Sequence, residues 1–201
     1  MADVAQSLLI GPDDTRVAAI RFSNDATVMF HLDTYNTSLD VGRALRSIQI
    51  IASTTNTAGA LRLMMTDVLT PRWGDRPDVH NVAILITDGQ SNVNEWDTIP
   101  AAQAARSAGV RLFVIGVTGE INVAELEAMS SLPLADHFFN RTSYALVPTL
   151  VSQLIWSVCH DPCDAEGHCA RFNASSCESC FEVVVWLGGW VTSGDMDERT
   201  E

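Results

Sequence analysis

The stretch Val82-Ala83-Ile84-Leu85-Ile86-Thr87-Asp88-Gly89 decides the fold of this chain. It is an apolar run without polar alternation, and it ends in a carboxylate and a glycine. Such a run is typical of a strand that is buried on both faces, as in a parallel sheet covered by helices. Ligands of these sheets bind beyond the carboxyl ends of the strands. The sequence therefore places Asp88 where this kind of fold carries its chemistry.

Strand and helix patterns alternate along the rest of the chain. Further strands are predicted at residues 16–23, 26–32, 111–118 and 137–140, and helices near residues 40, 56, 99, 122 and 144. Either Ser38 or Asp40 can cap the first of these helices. The alternation predicts an α/β doubly wound, mostly parallel sheet flanked by helices. At Val158/Cys159 the composition turns to Cys, Asp and Gly, so we predict a first domain over residues 1–158.

A hydroxyl-rich segment, Thr54-Thr55-Asn56-Thr57-Ala58-Gly59-Ala60-Leu61, opens one of the predicted helices. A hard cation such as Mg²⁺ takes oxygen ligands, and the hydroxyl of Thr57 with the carboxylate of Asp88 supplies two of them. Taken alone, Thr57 is more often a helix cap than a ligand, and Asp88 could simply cap the next turn. The residues by themselves do not decide between a metal-ligand role and a capping role for Thr57 and Asp88.

Several motifs at matching spacing resemble the von Willebrand factor type A domain, in its collagen type VI, collagen type XII and matrilin versions. The motifs are Thr-Asn-Thr-x-x-Ala-Leu at 55–61, Ile-Thr-Asp-Gly-x-Ser-Asn at 86–92, and the segments 14–17, 20–23, 74–79 and 114–117. The resemblance covers roughly residues 1–159. It implies protein–protein binding, often through a divalent cation that bridges to a carboxylate of the partner.

The family's metal site draws on three loops, and the resemblance assigns two of them here. Thr57 matches the threonine of the second loop and Asp88 the aspartate of the third, but residues 1–23 contain no Asp-x-Ser-x-Ser for the first. The chain is therefore expected to lack the first, central strand with its loop, so that Mg²⁺ binding is weak or lost. A sheet without its centre should fold poorly, or strand 16–23 must pair directly with strand 82–87.

The second predicted segment, residues 159–180, carries five cysteines. Its spacing resembles the first part of an epidermal growth factor-like module, which implies the pairs Cys159–Cys169 and Cys163–Cys177 and leaves Cys180 over. The alternative is zinc, bound by Cys159, Cys163, His168 and Cys169 or by Cys177-x-x-Cys180. Residues 181–201 match no module and stay an unassigned tail. Its apolar half would form an exposed, sticky hydrophobic patch that promotes association if it were not packed.

Composition and sequence motifs limit the cellular location of the protein and the classes of partner that it could bind. The net charge is −13, from 25 acidic and 12 basic residues, so a nucleic-acid partner is disfavoured. No apolar run is long enough to span a membrane. Glycosylation acceptors at Asn36, Asn140 and Asn173, together with the clustered cysteines, favour a secreted, extracellular-matrix protein. The first residues do not form a signal peptide, so we expect a fragment of a longer protein.

The function predicted from these observations is non-enzymatic. We expect a matrix or cell-adhesion protein that binds extracellular matrix proteins such as collagens through its type A domain. One alternative is an α/β enzyme that uses Asp88 at the switch point of the sheet, which would require a second catalytic group nearby. Another is an intracellular type A domain that acts in complex assembly, which the glycosylation acceptors and cysteines disfavour.

Overall fold

The protein is described here by a computed structural model that covers residues 5, 8–49, 54–87, 90–117, 121–141 and 181–188. Its centre is a six-stranded sheet with the strand order β2-β1-β6-β3-β4-β5. The strands are β1 (Arg16–Phe22), β2 (Ala26–Phe30), β3 (His80–Thr87), β4 (Arg111–Val117), β5 (Phe138–Arg141) and β6 (Phe181–Leu187). Only β2 runs antiparallel to its neighbour in this sheet. The predicted doubly wound, mostly parallel α/β fold is confirmed.

Helices cover both faces of the sheet. They are α1 (Ser38–Ser47), α2 (Thr57–Leu63), α3 (Thr98–Ser107), α4 (Val123–Met129) and α5 (Leu134–His137), and a π-helical segment, Met64–Val68, continues α2. The predicted caps of α1 were wrong: Thr37 is the cap, because its Oγ1 accepts from the backbone N–H of Asp40 at 3.1 Å. The hydroxyl of Thr37 precedes the first helical residue, where an orphan N–H is within its reach.

The centre of the sheet is occupied by β6, the last of the described strands along the chain. Direct pairing of β1 with β3 was one of the two outcomes expected for a sheet without its first strand. It does not occur, because β6 lies between them and is parallel to both. Residues 181–187, which the sequence left unassigned, therefore supply the central strand. Val183–Trp186 are at most 2 % exposed, so the apolar run that we expected to be sticky is packed inside the molecule.

The strands have apolar side chains on both faces, and two cores result. On one face, Val183 and Val185 of β6 join a core that includes residues of α1. On the other face, Val184 and Trp186 join a core that includes residues of α2, α3 and α4. Burial of alternate residues on opposite faces explains why β3 and β6 show no polar alternation. By contrast, β2 at the sheet edge alternates between exposed and less exposed residues.

Five parallel strands bring their carboxyl ends to one edge of the sheet. This carboxyl edge is where the predicted site should lie. Several sequence predictions fall outside the described residues: Asp88, the helix from Tyr144 to Val158, all five cysteines and Asn173. Among the helices that the structure describes, none is long and apolar enough to cross a membrane.

Candidate functional site at the carboxyl edge of the sheet

Thr57 is the first residue of α2 and lies at the carboxyl edge. The preceding residue, Asn56, donates its backbone N–H to the carbonyl of Ser23, directly after β1, at 2.8 Å. The side chain of Asn56 caps α2 by accepting from the N–H of Gly59 at 2.8 Å. Because a cap residue already precedes it, Thr57 is not the cap of this helix, and its hydroxyl is available for another role. Thr57 as a whole is only 1 % exposed.

The loop after β3 meets the hydroxyl of Thr57. Ser91 donates from its Oγ to the Oγ1 of Thr57 at 2.8 Å, and its backbone N–H donates to an oxygen of Glu125 at 3.1 Å. All three residues are buried, with Glu125 in the first turn of α4. A hydroxyl pair and a carboxylate from three separate elements are thus joined in one network.

Two reciprocal bonds hold the same loops together. The backbone N–H of Thr55 donates to the side-chain oxygen of Asn92 at 2.8 Å, and the N–H of Asn92 donates to the carbonyl of Thr55 at 3.1 Å. These bonds fix the loop after β3 against the loop before α2. Ser91 and Asn92 of the Ile-Thr-Asp-Gly-x-Ser-Asn motif thus both bond to the segment that contains Thr57. Sequence reasoning quoted both residues but gave them no role, and it missed Glu125.

The predicted metal ligands are only partly placed. Thr57 is at the expected edge, but Asp88 lies outside the described residues, so their proximity remains a prediction. The predicted glycosylation acceptors Asn36 and Asn140 are both exposed, Asn36 just before α1 and Asn140 within β5. Their modification likewise remains a prediction.

The described residues around Thr57 include hydroxyl groups but no cluster of acidic side chains. After β6 the sequence continues with Gly188-Gly189-Trp190-Val191-Thr192-Ser193-Gly194-Asp195, of which only Gly188 lies within the described residues. Within the described part of the chain, no three acidic, histidine or cysteine side chains group together in a way that could hold a metal. The hydroxyls of Thr57 and Ser91 suit a hard cation, but the local negative charge from described residues is small.

A buried ion pair lies at the opposite, amino edge of the sheet. Glu182, near the start of β6, is 0 % exposed, and its Oε1 accepts from the Nε of Arg76 at 2.5 Å. Arg76 also donates to the carbonyl of Asp14 at 2.5 Å. Burial raises the pKa of the Glu182 carboxyl to about 7, although Arg76 and Arg16 act to lower it. The sequence signal for this pair was weak: a single acid that opens an apolar run.

The loop after β3 also presents an aromatic side chain to solvent. Trp96 is 76 % exposed, in a single 3₁₀ turn just before α3. Its neighbour Asp97 forms an ion pair with Arg62 of α2, which ties this turn to the helix that begins with Thr57. An exposed tryptophan is the type of residue that dominates protein–protein interfaces.

A mostly parallel sheet with helices on both faces and a polar loop cluster at its carboxyl edge defines a doubly wound α/β domain. The chain belongs to the von Willebrand factor type A domain family, whose family model matches residues 1–153. The family resemblance predicted from the motifs is therefore confirmed. The strand β6 lies outside the matched range.

Similar proteins include several matrilins. The chain is 31% identical to human matrilin-3 over 166 residues, which cover 80% of this chain and 33% of that protein. It is 32% identical to human matrilin-4 over 169 residues, with 81% of this chain and 26% of that protein covered. Mouse matrilin-1 is 30% identical over 182 residues, 88% of this chain and 36% of matrilin-1. The chain thus spans about a quarter to a third of the length of these relatives.

Solved structures of similar fold include two from the mussel byssus and one from Plasmodium vivax. Proximal thread matrix protein 1 matches with a TM-score of 0.73 and 20% identity, covering 79% of this chain and 41% of that one. The same protein with a zinc-occupied MIDAS motif matches at 0.67 and 25% identity, covering 77% and 37%. Manganese-loaded TRAP protein matches at 0.59 and 19% identity, covering 76% and 63%.

Proposed function

We propose that this chain is a non-enzymatic binding module of an extracellular matrix protein, and that it binds other matrix proteins, collagens among them, through its carboxyl edge. Membership of the type A family and similarity to matrilins support the class of function. The observation that carries the choice of surface is Trp96, a largely exposed aromatic side chain on a loop that is tied to the Thr57 network.

The chemistry of this surface favours binding through side chains over binding through a tightly held cation. Three buried polar residues, Thr57, Ser91 and Glu125, are joined by hydrogen bonds, and this network supports the described part of the loop that carries Trp96. A rigid loop that presents an aromatic anchor loses little conformational entropy when a partner binds. Any bound cation would be Mg²⁺, held weakly by Thr57 and Asp88.

The test is binding of the secreted chain to immobilised matrix proteins, with fibrillar collagens first, measured by surface plasmon resonance. The Trp96→Ala variant should weaken binding by at least about tenfold, the size expected for loss of an interface anchor. The matched control is Leu132→Ala. Leu132 is similarly exposed, at 73 %, but its neighbour Ser131 is bonded to Leu112 at the start of β4, on the opposite edge. Equal effects of the two variants, or no binding to any matrix protein, would contradict the proposal.

The location of the protein is part of the same proposal. A secreted module should carry disulfides in its 159–180 segment, with Cys159 paired to Cys169 and Cys163 to Cys177, and glycans on Asn36, Asn140 and Asn173. Peptide mapping of the non-reduced, secreted chain should find both disulfides and should find Cys180 outside them. Stoichiometric zinc, or five free thiols, would place the protein in a reducing compartment and rule out this part of the proposal.

A further inference from the structure

The central strand joins two parts of the sheet that otherwise do not pair. On one side β1 pairs with β2, and on the other β3 pairs with β4. Both inner strands pair with β6: Arg16 to Arg21 lie opposite Glu182 to Leu187, and His80 to Ile86 lie opposite Phe181 to Leu187. We call the space between β1 and β3 the strand slot. Without an occupant, two rows of backbone groups and both cores would be open to solvent.

The strand slot is complementary to residues 182–188 at three levels. At its amino end, Arg76 meets the carboxylate of Glu182. In the middle, four consecutive apolar residues fill both cores, with Trp186 only 1 % exposed. At its carboxyl end the ring of Phe22 lies so close to Gly188 that a Cβ there would come within 2.4 Å of it. The slot thus accepts an acid, an apolar run and a glycine in that order.

The occupant is not tied to its slot by short connections. Residue 141 ends β5 and residue 181 starts β6, so residues 142–180 join two strands that are not neighbours in the sheet. A chain of this length could reach up to roughly 130 Å when fully extended. Covalent connectivity therefore permits β6 to enter the slot of its own chain or that of another molecule.

We propose that β6 is an exchangeable strand, and that the slot between β1 and β3 accepts β6 from a second copy of this chain to form a reciprocal dimer. All contacts of the slot are the same in the closed monomer and the exchanged dimer, so exchange has little enthalpic penalty. A second copy is the occupant because it supplies the acid, apolar run and glycine that the slot selects. For a matrix module, exchange would join chains without any additional interface.

A charge-reversal pair of full-length variants tests the exchange. In Arg76→Glu the slot carries an acid against Glu182, and in Glu182→Arg the strand carries a base against Arg76, so each variant alone has like charges in every possible arrangement. In a mixture, reciprocal exchange places the acidic strand of the first variant in the basic slot of the second. It also places the basic strand of the second variant in the acidic slot of the first. The double variant, with both changes in one chain, restores opposite charges without exchange.

The expected result is a 1:1 heterodimer after the two variants are unfolded and refolded together, seen by light scattering and native mass spectrometry. Its melting temperature should exceed that of either variant by about 10 °C, since an unpaired buried charge is removed. A mixture that stays monomeric and melts like its components, while the double variant regains stability, would overturn the proposal.

A second measurement uses the unmodified chain, in case the reversed charges do not fit. The dimer fraction after refolding should rise with protein concentration, and the dimer should dissociate to monomers on a denaturing gel without reductant, which excludes intermolecular disulfides. No dimer at concentrations up to about 1 mM, the upper range of effective concentration that a flexible linker sets, would also overturn the proposal.

Discussion

At the scale of single residues, the polar groups of this domain are used first to hold its loops. The hydroxyl of Thr57, which the family resemblance assigns to a metal site, accepts a hydrogen bond from Ser91. Ser91 in turn binds Glu125 through its backbone. Thr57 therefore has a structural role in these loops, separate from the metal-binding role that the family resemblance implies.

Replacement of Thr57 tests this structural role. The Thr57→Val variant keeps the volume of the side chain but leaves the buried hydroxyl of Ser91 without its acceptor. We expect a loss of about 1–2 kcal/mol in the free energy of unfolding, measured by urea denaturation. Thr57→Ser, which retains the acceptor, is the control and should lose less. If Thr57→Val were as stable as the native chain, the hydrogen bond from Ser91 would not stabilise the folded state.

The carboxyl of Glu182 should make stability depend on pH. Its pKa rises from 4.5 to about 7 on folding, so the folded state binds a proton more tightly than the unfolded state. Stability from this group is therefore fully present below pH 4.5 and is lost as the pH rises through 7. The total loss is about 3 kcal/mol at most. Urea denaturation of the native chain and of Glu182→Gln across roughly pH 4.5–8 measures the contribution of Glu182 to the free energy of unfolding. The native chain should lose stability relative to the variant as the pH rises. A constant difference would show that Glu182 does not titrate in this range.

At the scale of elements, β3 and β6 are both buried on two faces, yet the sequence revealed only one of them. The run at 82–87 was followed by a carboxylate and a glycine and lay among alternating helices and strands, so β3 could be predicted from local pattern. The run at 183–186 follows a cysteine-rich segment. Its partners, β1 and β3, lie far back in the chain, and pairing over such separation is a property of the fold and not of the local sequence. The same limit hid the contact between Glu182 and Arg76.

A charge in the middle of β6 tests whether this strand completes the sheet. The Val184→Asp variant places a carboxylate where the native residue is 0 % exposed, between apolar residues of the second core. We expect loss of cooperative thermal unfolding, because an unpaired buried charge destabilises by an amount comparable to the whole stability of a domain. The control is Thr27→Asp, at an exposed position of the edge strand β2, which should change the free energy of unfolding by less than about 1 kcal/mol. Normal melting of Val184→Asp would mean that β6 is not part of the folded core.

At the scale of the whole molecule, the amino edge and the carboxyl edge of the sheet have different roles. The amino edge holds the last described strand in place through Glu182 and Arg76, and the carboxyl edge gathers the loops that carry Thr57 and Trp96. This division follows the general rule for parallel sheets, in which ligands bind beyond the carboxyl ends of the strands. The net charge of −13 is a property of the whole sequence, and on electrostatic grounds it attracts cations and basic groups.

A measurement of magnesium binding distinguishes two ways in which the carboxyl edge could bind partners: through side chains such as Trp96, or through a bound cation. With Thr57 and Asp88 as the two family-derived ligands, most of the coordination shell would be water. Titration calorimetry of the intact chain should therefore show no saturable heat below about 1 mM Mg²⁺, and chelation should leave binding to matrix proteins unchanged. The informative control is Asp88→Ala, which should behave like the native chain in both measurements. Micromolar affinity that disappears in Asp88→Ala would mean that other residues complete the site. The carboxyl edge would then bind partners through a cation, and Trp96 would be secondary.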